Sequence, residues 1–568
     1  MEPVTAVLGP AAAGALLALA VAVPLALLPA LGVPAFRRAA LGLAPWAGLA
    51  ALAAGLLVPA ATTVELPWVL TGMRLGLDGI GRPFLLLTGV LWPAAGIFAR
   101  ATLEPSVHVR FTGFSLAALA GTVGICLAAE PATFYSFYAV MGLAIYGLVW
   151  GDGAPPNRRA ANIYLGFTVA GEGALLAALL VGVAEGALSG PWGMGLAVAA
   201  LGIKLGLVPL HTWMPLAYGA APLAAGALLG GAMVNAGLIG WLRFLPLGTA
   251  ALPGWGEILL VLGTLAAFGG VLVGLGQRHP GAVLGYSSIS QMGWITVAVG
   301  TALTAPGGWD AGLEWVVMAY AVHHGLVKGG LFLTLGLLRR PAAWLGWAAL
   351  AVLALVLAGA PGTGGAAVKL ALKHALGELP GADPGAVKVL LGAGAAATTL
   401  LLARLLVLVR TEPGLPPLGR AAVVAALVPV GLAGALPWLW PGLRPEVLAS
   451  LGPQAAVTAG PVAGAALLAV LVAWLGRGRD WFGPLALPPG DMLWLAEALA
   501  RRLAPAVAWR WAAARAWWVP ANRLGEGLRA HLWQPLRGRL SAADRWGWTA
   551  SGLALLLLLG AMAVSLLG

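Results

Sequence analysis

Four basic side chains stand deep inside stretches that otherwise read as lipid-spanning helices: Lys204, the pair His324 and Lys328, and Lys369. An ionisable group at membrane depth costs roughly 2.5 to 3.5 kcal/mol on insertion scales, so such groups face a bundle interior or a hydrated path. Desolvation weakens a buried lysine's hold on its proton and a nearby acid strengthens it again, so a lysine there can be tuned to gain and lose one. His324 and Lys328 lie four apart, on one helical face. Protonating one member of such a row repels a proton from the next, and more strongly in low dielectric. The chemistry these residues point to is a proton relay. The alternative is that each lysine snorkels or satisfies backbone carbonyls beside a helix break. Glu172, in Val169-Ala-Gly-Glu172-Gly-Ala, is the acid placed well inside a span and needs a partner or a proton to stay there, so it is a candidate to balance Lys204. His211, seven residues after Lys204, is the remaining candidate.

The elements that must position these groups follow from composition. The chain has 568 residues, 60% of them hydrophobic and 9% charged, with a mean hydropathy of +0.92, outside the range of a water-soluble domain. Its apolar stretches are about 20 residues long, enough to cross a hydrocarbon core of roughly 30 Å as helices, and they lack the alternation of a membrane barrel. The expected fold class is all-α, a polytopic membrane protein of about 14 to 16 transmembrane helices. Its first stretch, Ala11 to Leu31, follows no basic residue and is too long for a signal core, so it is read as a span. The single cysteine, Cys126, excludes an internal disulfide framework. A net charge of +12 comes from arginines in short loops and the tail, which topology explains better than nucleic acid does.

Spans are expected near 8–31, 39–61, 83–101, 111–130, 132–151, 162–186, 193–214, 221–245, 256–277, 282–304, 313–338, 346–378, 386–409, 421–443, 457–476 and 547–567. With the N-terminus outside, one set of loops holds Arg37, Arg38, Arg100, Arg110, Arg158, Arg159, Arg278, Arg339, Arg340, Arg410 and Arg420, against a smaller set opposite. That bias places the protein in the cell inner (plasma) membrane with the region after the fifteenth span on the cytoplasmic side. The region from about Asp491 to Leu540 mixes arginines with six tryptophans, and Pro505, Pro520 and Pro535 recur through it. It is expected to be a bent amphipathic segment at the interface, facing lipid or clamping a neighbouring subunit. The implied organisation is 1–105, N-terminal helices; 106–250 and 251–412, two halves; 413–480, C-terminal helices; 481–545, the amphipathic segment; and 546–568, a last span.

Two spans carry breakers. The run from Lys204 to Pro215 holds prolines at 209 and 215, and Ala358 to Gly365 is too glycine-rich to stay helical. Non-helical backbone survives in a membrane only where protein or a water-filled cavity covers it, and paired interruptions in two halves point to inverted-repeat transport folds. No Gly-rich phosphate loop, Cys-x-x-Cys pair or His-Glu-x-x-His is present, so no cofactor or metal is expected.

The run Gly202-Ile-Lys204-Leu-Gly-Leu-Val-Pro-Leu-His211-Thr-Trp-Met-Pro215 resembles the seventh-helix signature of the antiporter-like subunits of respiratory complex I, membrane-bound hydrogenases and Mrp cation/proton antiporters. So do Leu77-Asp78-Gly79, Ala221-Pro222 with Gly231-Ala-Met-Val, Leu284-Gly-Tyr286-Ser-Ser-Ile-Ser290-Gln-Met-Gly293, His324-Gly-Leu-Val-Lys328-Gly-Gly, and Ala358-Gly-Ala-Pro361-Gly-Thr-Gly. The resemblance implies two inverted five-helix repeats with half-channels joined by a polar axis. It implies Lys204 as the central proton carrier, His324 and Lys328 on the eleventh helix, and Lys369 after the second break. It also implies a lateral helix like the tryptophan-rich tail.

The chain departs from that pattern where it matters. The fifth-helix glutamate falls on Ala139 and the eighth-helix lysine on Asn235, while the stretch before Tyr286 reads His279-Pro-Gly-Ala282, and Pro215-Leu-Ala-Tyr218 replaces Pro-Asp-Ala-His. The resemblance implies a proton-translocating subunit of a redox-driven or Mrp-type complex, a non-redox part of any translocating enzyme. Its expected partners are other membrane subunits and lipid, its cargo protons, with sodium left open, and no nucleic acid. The two lost positions favour the alternative, a non-pumping subunit that docks another. An independent sodium carrier is disfavoured by the few acids within spans.

Overall fold

The computed structural model describes residues 8–67, 72–185, 188–304, 307–338, 343–379, 383–409, 417–476 and 488–493. The rest of the amphipathic segment and the expected span 547–567 lie outside the described residues. In chain order the helices are α1 (Pro10–Gly32), α2 (Pro34–Leu43), a 3-10 turn (Ala44–Gly48), α3 (Leu49–Leu57), α4 (Gly81–Thr102), α5 (Pro105–Leu127), α6 (Pro131–Trp150) and α7 (Pro155–Glu185). Then come α8 (Pro191–Leu205), α9 (Trp213–Ala220), α10 (Leu223–Leu228), a π-helical turn (Leu229–Met233), α11 (Asn235–Phe244), α12 (Pro253–Leu275), α13 (Pro280–Leu303) and α14 (Ala311–Leu335). The last group is α15 (Ala343–Ala358), α16 (Gly364–Gly377), α17 (Pro384–Leu408), α18 (Arg420–Leu439), α19 (Leu443–Leu451) and α20 (Ala455–Gly476).

Proline opens many of these helices, where its missing N–H costs nothing and its fixed φ is already helical. Twelve helical segments among the described residues are long and apolar enough to cross a membrane, so the chain is a multi-pass, all-α membrane protein. The one departure is a short antiparallel hairpin, β1 (Thr63–Leu66) with β2 (Met73–Gly76), which the span pattern did not predict. It sits beside an electrostatic tie in which Arg243 of α11 donates to Asp78 and to the Ile125 and Cys126 carbonyls of α5.

Depth in the bundle varies sharply. The most apolar windows of α14 and of the α10–α11 pair are 94% buried, against 17% for α20, so α14 and α10–α11 are the centre and α20 is at the periphery. Lipid tails offer helices no hydrophobic drive to associate, so small residues that permit close contact must do it. Gly256, Gly263 and Gly270 form such a seam on α12 against α13. A Cβ on Gly263 would lie 2.8 Å from the Gly293 carbonyl, and one on Gly256 would lie 2.7 Å from that of Gly300.

Both predicted breaks exist. The expected span 193–214 is α8 and α9 separated by Gly206–Thr212, and 346–378 is α15 and α16 separated by Gly359–Thr363. Gly206 ends α8 with φ +77, and the Gly206 and Leu207 amides cover the Gly202 and Ile203 carbonyls. Trp213 Nε1 also donates to the Ile203 carbonyl at 2.8 Å. At the second break Gly359 has φ +90 and Thr363 caps α16 through the Ala366 amide. Backbone groups freed inside the membrane are thus largely satisfied by protein.

Candidate functional site

Lys204 occupies the last turn of α8, 2% exposed. Its Nζ donates to the hydroxyls of Tyr164 at 2.6 Å and Thr168 at 3.2 Å, both on α7, and lies 4.8 Å from the Tyr164 ring centre and 5.5 Å from that of Tyr138. Two aromatic faces and two hydroxyls form a socket that welcomes an ammonium ion. Glu172 follows Thr168 by four residues on α7 and is also buried. A Cβ on Gly142 of α6 would overlap Oε1 of Glu172 and come 3.2 Å from Nζ of Lys204. Both side chains therefore point at one bare patch of α6, within the roughly 6 Å over which an acid and an amine influence each other's proton affinity. Ala139, where the resemblance places an acid, lies one turn from Gly142 on the same helix and is fully buried. The acid facing Lys204 comes from α7, and a glycine on α6 makes its room.

His324 and Lys328 are fully buried on α14. Lys328 donates to the Leu284 carbonyl of α13 at 2.8 Å, and among the described residues neither ring nitrogen of His324 has a hydrogen-bond partner. Asn235, in the position expected of a lysine, follows the π-turn. Its Nδ2 donates to the Gly231 carbonyl at 3.1 Å while its Oδ1 is buried without a partner. The π-turn presses on α14 so closely that a Cβ on Gly325 would overlap the Gly231 carbonyl oxygen. π-turns of this kind open an α-helical ladder and often lie at functional sites.

Lys369 reaches back from α16 to donate to the Leu357 and Ala358 carbonyls of α15, each at 2.8 Å. It covers the last carbonyls of the preceding half-helix, which is the role foreseen for a lysine satisfying a break. Of its neighbours, Lys373 is buried, while His374 pairs with Glu446 of α19 at 3.0 Å where the helix nears solvent. Arg404 of α17 is buried and donates to the Gln277 carbonyl at 3.0 Å, because the chain just past the end of α12 presents that oxygen to it.

His211 lies in the first break, 4% exposed, with Nε2 3.2 Å from Asp491 of the segment 488–493. The Asp491 amide donates to the Tyr286 hydroxyl of α13 at 3.4 Å. Burial alone would raise the Asp491 carboxyl, but the hydrogen bond and charge of His211, the Met492 amide and the Tyr286 hydroxyl outweigh it and hold it below the usual carboxylate value.

The structure brings Lys204 and Glu172 together and sets His324 and Lys328 side by side, whereas Lys369 and His211 stand at separate breaks. Direct hydrogen bonds do not connect Lys204, Lys328 and Lys369 among the described residues. The helices that carry and adjoin them also hold buried polar atoms without hydrogen-bond partners among the described residues: Glu172 Oε1, Tyr218 Oη, Asn235 Oδ1, Ser287 and Ser288 Oγ, His323 Nε2 and both nitrogens of His324. Groups of this kind are held by internal water in folded proteins.

Sequence reasoning missed several participants. His323 turns from His324 toward the second break, its Nε2 3.5 Å from the Cβ position of Gly364. A double histidine in a span was the available signal. Tyr320 donates to Gln291 at 2.7 Å, which donates to Thr398 at 3.1 Å, tying α14 through α13 to α17. Tyr164, Thr168 and Asp491 carried no signal of their own, since helix rotation and docking select them.

Residues 128–376 match the family model described as NADH:quinone oxidoreductase/Mrp antiporter, TM. NADH-quinone oxidoreductase subunit N of Desulforudis audaxviator is 30% identical over 294 residues, covering 48% of this chain and 56% of that protein. NADH-quinone oxidoreductase subunit M of Escherichia coli K12 is 27% identical over 305 residues, covering 48% and 58%. The chain spans about half the length of the curated relatives it matches. Among solved structures, a chain of the Mrp complex from a Dietzia species superposes with a TM-score of 0.68 at 21% identity, covering 98% of this chain and 63% of that one. A chain of the membrane-bound sulfane sulfur reductase, an archaeal respiratory membrane complex, superposes with a TM-score of 0.64 at 20% identity, covering 96% and 100%. At these identities the superpositions establish a shared fold.

Proposed function

Because the chain belongs, through residues 128–376, to the NADH:quinone oxidoreductase/Mrp antiporter family of antiporter-like membrane subunits, we propose that it translocates protons within a multi-subunit membrane complex. The observation that carries this reading is the meeting of Glu172 and Lys204 across Gly142. An acid that raises the proton affinity of a buried lysine supplies the opposite pull to desolvation, and the balance lets the lysine load and unload. In this reading the unpartnered atoms around Asn235, Ser287, Ser288 and His324 hold the water that joins Lys204 to Lys328, and His323 continues the path to Lys369. Residues 106–250 and 251–412 form the two inverted repeats, each with its own break and lysine. The N-terminus lies outside the cell, and the partners are other membrane subunits and lipid.

A second reading has its own support. The protein partners of Lys328 and Lys369 are backbone carbonyls, as expected of lysines that merely hold helices in a non-pumping, docking subunit. One experiment separates the two. The assembled complex carrying Lys204→Ala, followed by a pH-sensitive dye in inside-out vesicles, loses coupled proton uptake if this chain pumps. Undiminished uptake in an intact complex establishes the docking role.

A further inference from the structure

Among the described residues beyond α20, the segment 488–493 lies against the bundle. Residues 488–493 form a tight turn, with the Leu493 amide donating to the Gly490 carbonyl at 2.7 Å. Gly490 lies against the first break with φ +81, a conformation that side chains rarely adopt. A Cβ there would also sit 2.8 Å from Leu216 of α9 and 3.3 Å from the Thr212 carbonyl. Glycine is needed on both counts for the segment to come this close. Its approach delivers one acid, Asp491, whose carboxylate lies 3.2 Å from Nε2 of His211 and is 14% exposed, against 4% for the imidazole. Among the described residues, the other titratable group facing Asp491 is the Tyr286 phenol of α13.

The contact is graded from outside to inside. Asp491 is partly exposed and His211 behind it is buried; beyond that the other ring nitrogen, Nδ1, and the Thr212 hydroxyl are buried with no protein partner among the described residues. Buried nitrogen and oxygen atoms without partners imply water deeper in the break. A two-sided imidazole between an exposed acid and an interior water is the arrangement of a proton shuttle. The position also agrees with the topology. By helix alternation, the end of α20 emerges on the same membrane face as the start of α13 and the end of α9, where this contact sits.

We propose that Asp491 and His211 form the proton inlet of the first half-path, so that the C-terminal region contributes a working side chain to the α8–α9 break. The carboxylate takes a proton from bulk water, and its O–H bond breaks as the proton passes to Nε2 of His211. The proton on Nδ1 leaves to the buried water beside Thr212 and travels on toward Lys204. The ring is left as the Nε2–H tautomer, and a flip about the Cβ–Cγ bond turns that N–H inward and the bare nitrogen toward Asp491 before the next proton arrives, so that no proton moves backward and no electron changes hands. This rests on the translocation reading above.

The test uses the assembled complex in native membrane vesicles. Asp491→Asn keeps an oxygen that accepts from His211, so the segment stays docked, yet it cannot carry a proton. Coupled proton uptake should fall about a hundredfold or to background, the scale of losing a positioned acid–base group, while Asp491→Glu restores it and thermal stability is unchanged in both. Wild-type uptake in Asp491→Asn overturns the proposal. Should Asp491→Asn fail to assemble, His211→Gln probes the same step from the inner side, and full uptake there is equally fatal. Lys204→Ala is run in parallel. If it blocks uptake and Asp491→Asn does not, the inlet is wrong and translocation stands; if Lys204→Ala leaves uptake intact, translocation itself is wrong.

Discussion

Lys204 of α8 and Glu172 of α7 converge on the bare backbone of α6 at Gly142, so the acid that faces the lysine comes from a different helix than the one on which the family pattern places it. An acid delivered from α7 can serve the same electrostatic purpose as one from α6, since what matters is its distance from the ammonium and the low dielectric between them.

That substitution predicts a rescue. Glu172→Gln should lower coupled proton uptake about tenfold or more, because one proton-affinity unit lost to a missing countercharge is a factor of ten. Adding Ala139→Glu, one turn from Gly142, should recover much of the loss. A double variant no better than Glu172→Gln alone, measured in the same vesicle assay, would show that the two positions are not equivalent.

Gly142→Ala is expected to fail for a steric reason. The new Cβ overlaps Oε1 of Glu172 and crowds Nζ of Lys204, an overpacking cost of about 1 to 3 kcal/mol. Uptake should drop as it does in Glu172→Gln, with a modest fall in melting temperature. Gly147→Ala, whose Cβ would overlap the Phe114 ring instead, should lower the melting temperature and leave the uptake of assembled protein intact.

Lys369 holds two carbonyls of α15, so this structural role can be pulled apart from the conducting role proposed for it. Lys369→Met strands both oxygens and should cost about 1 to 3 kcal/mol for each. Lys369→Gln keeps an N–H donor and should recover much of that stability without restoring proton uptake. If Lys369→Gln transports normally, the lysine only caps the break.

Acid should loosen one helix end. His279 caps α13, its Nδ1 accepting from the Gly281 amide at 3.2 Å, and burial holds its proton affinity below the usual imidazole value of 6.5. A base whose folded value is depressed contributes stability that is fully present above pH 6.5 and is lost as the pH falls through the folded value. The protection factors of the amides at the start of α13, measured exchange divided into the intrinsic rate at each pH, should therefore fall on acidification below that point, and His279→Asn, which caps without titrating, should flatten the response.

Much of this protein could be read from its linear order. Hydropathy and span length are local properties, so membrane character, the helix sequence and both breaks follow from residues near one another, with proline and glycine marking where the helix must stop. The buried lysines announced themselves by the cost of their charge. The hairpin of β1 and β2 escaped because four-residue strands carry too little pattern to stand out beside apolar spans. The partners of each lysine escaped for a deeper reason. Whether Glu172 or Ala139 faces Lys204, whether His323 or His324 looks toward Lys369, and whether Asp491 reaches His211 depend on how helices distant in sequence rotate and approach. Those approaches are set by backbone contacts at Gly142, Gly325 and Gly490. Composition decided that the chain spans a membrane and carries charge within it; tertiary packing alone decided which charges meet, because an electrostatic pair is a matter of a few ångströms between helices and not of spacing along one.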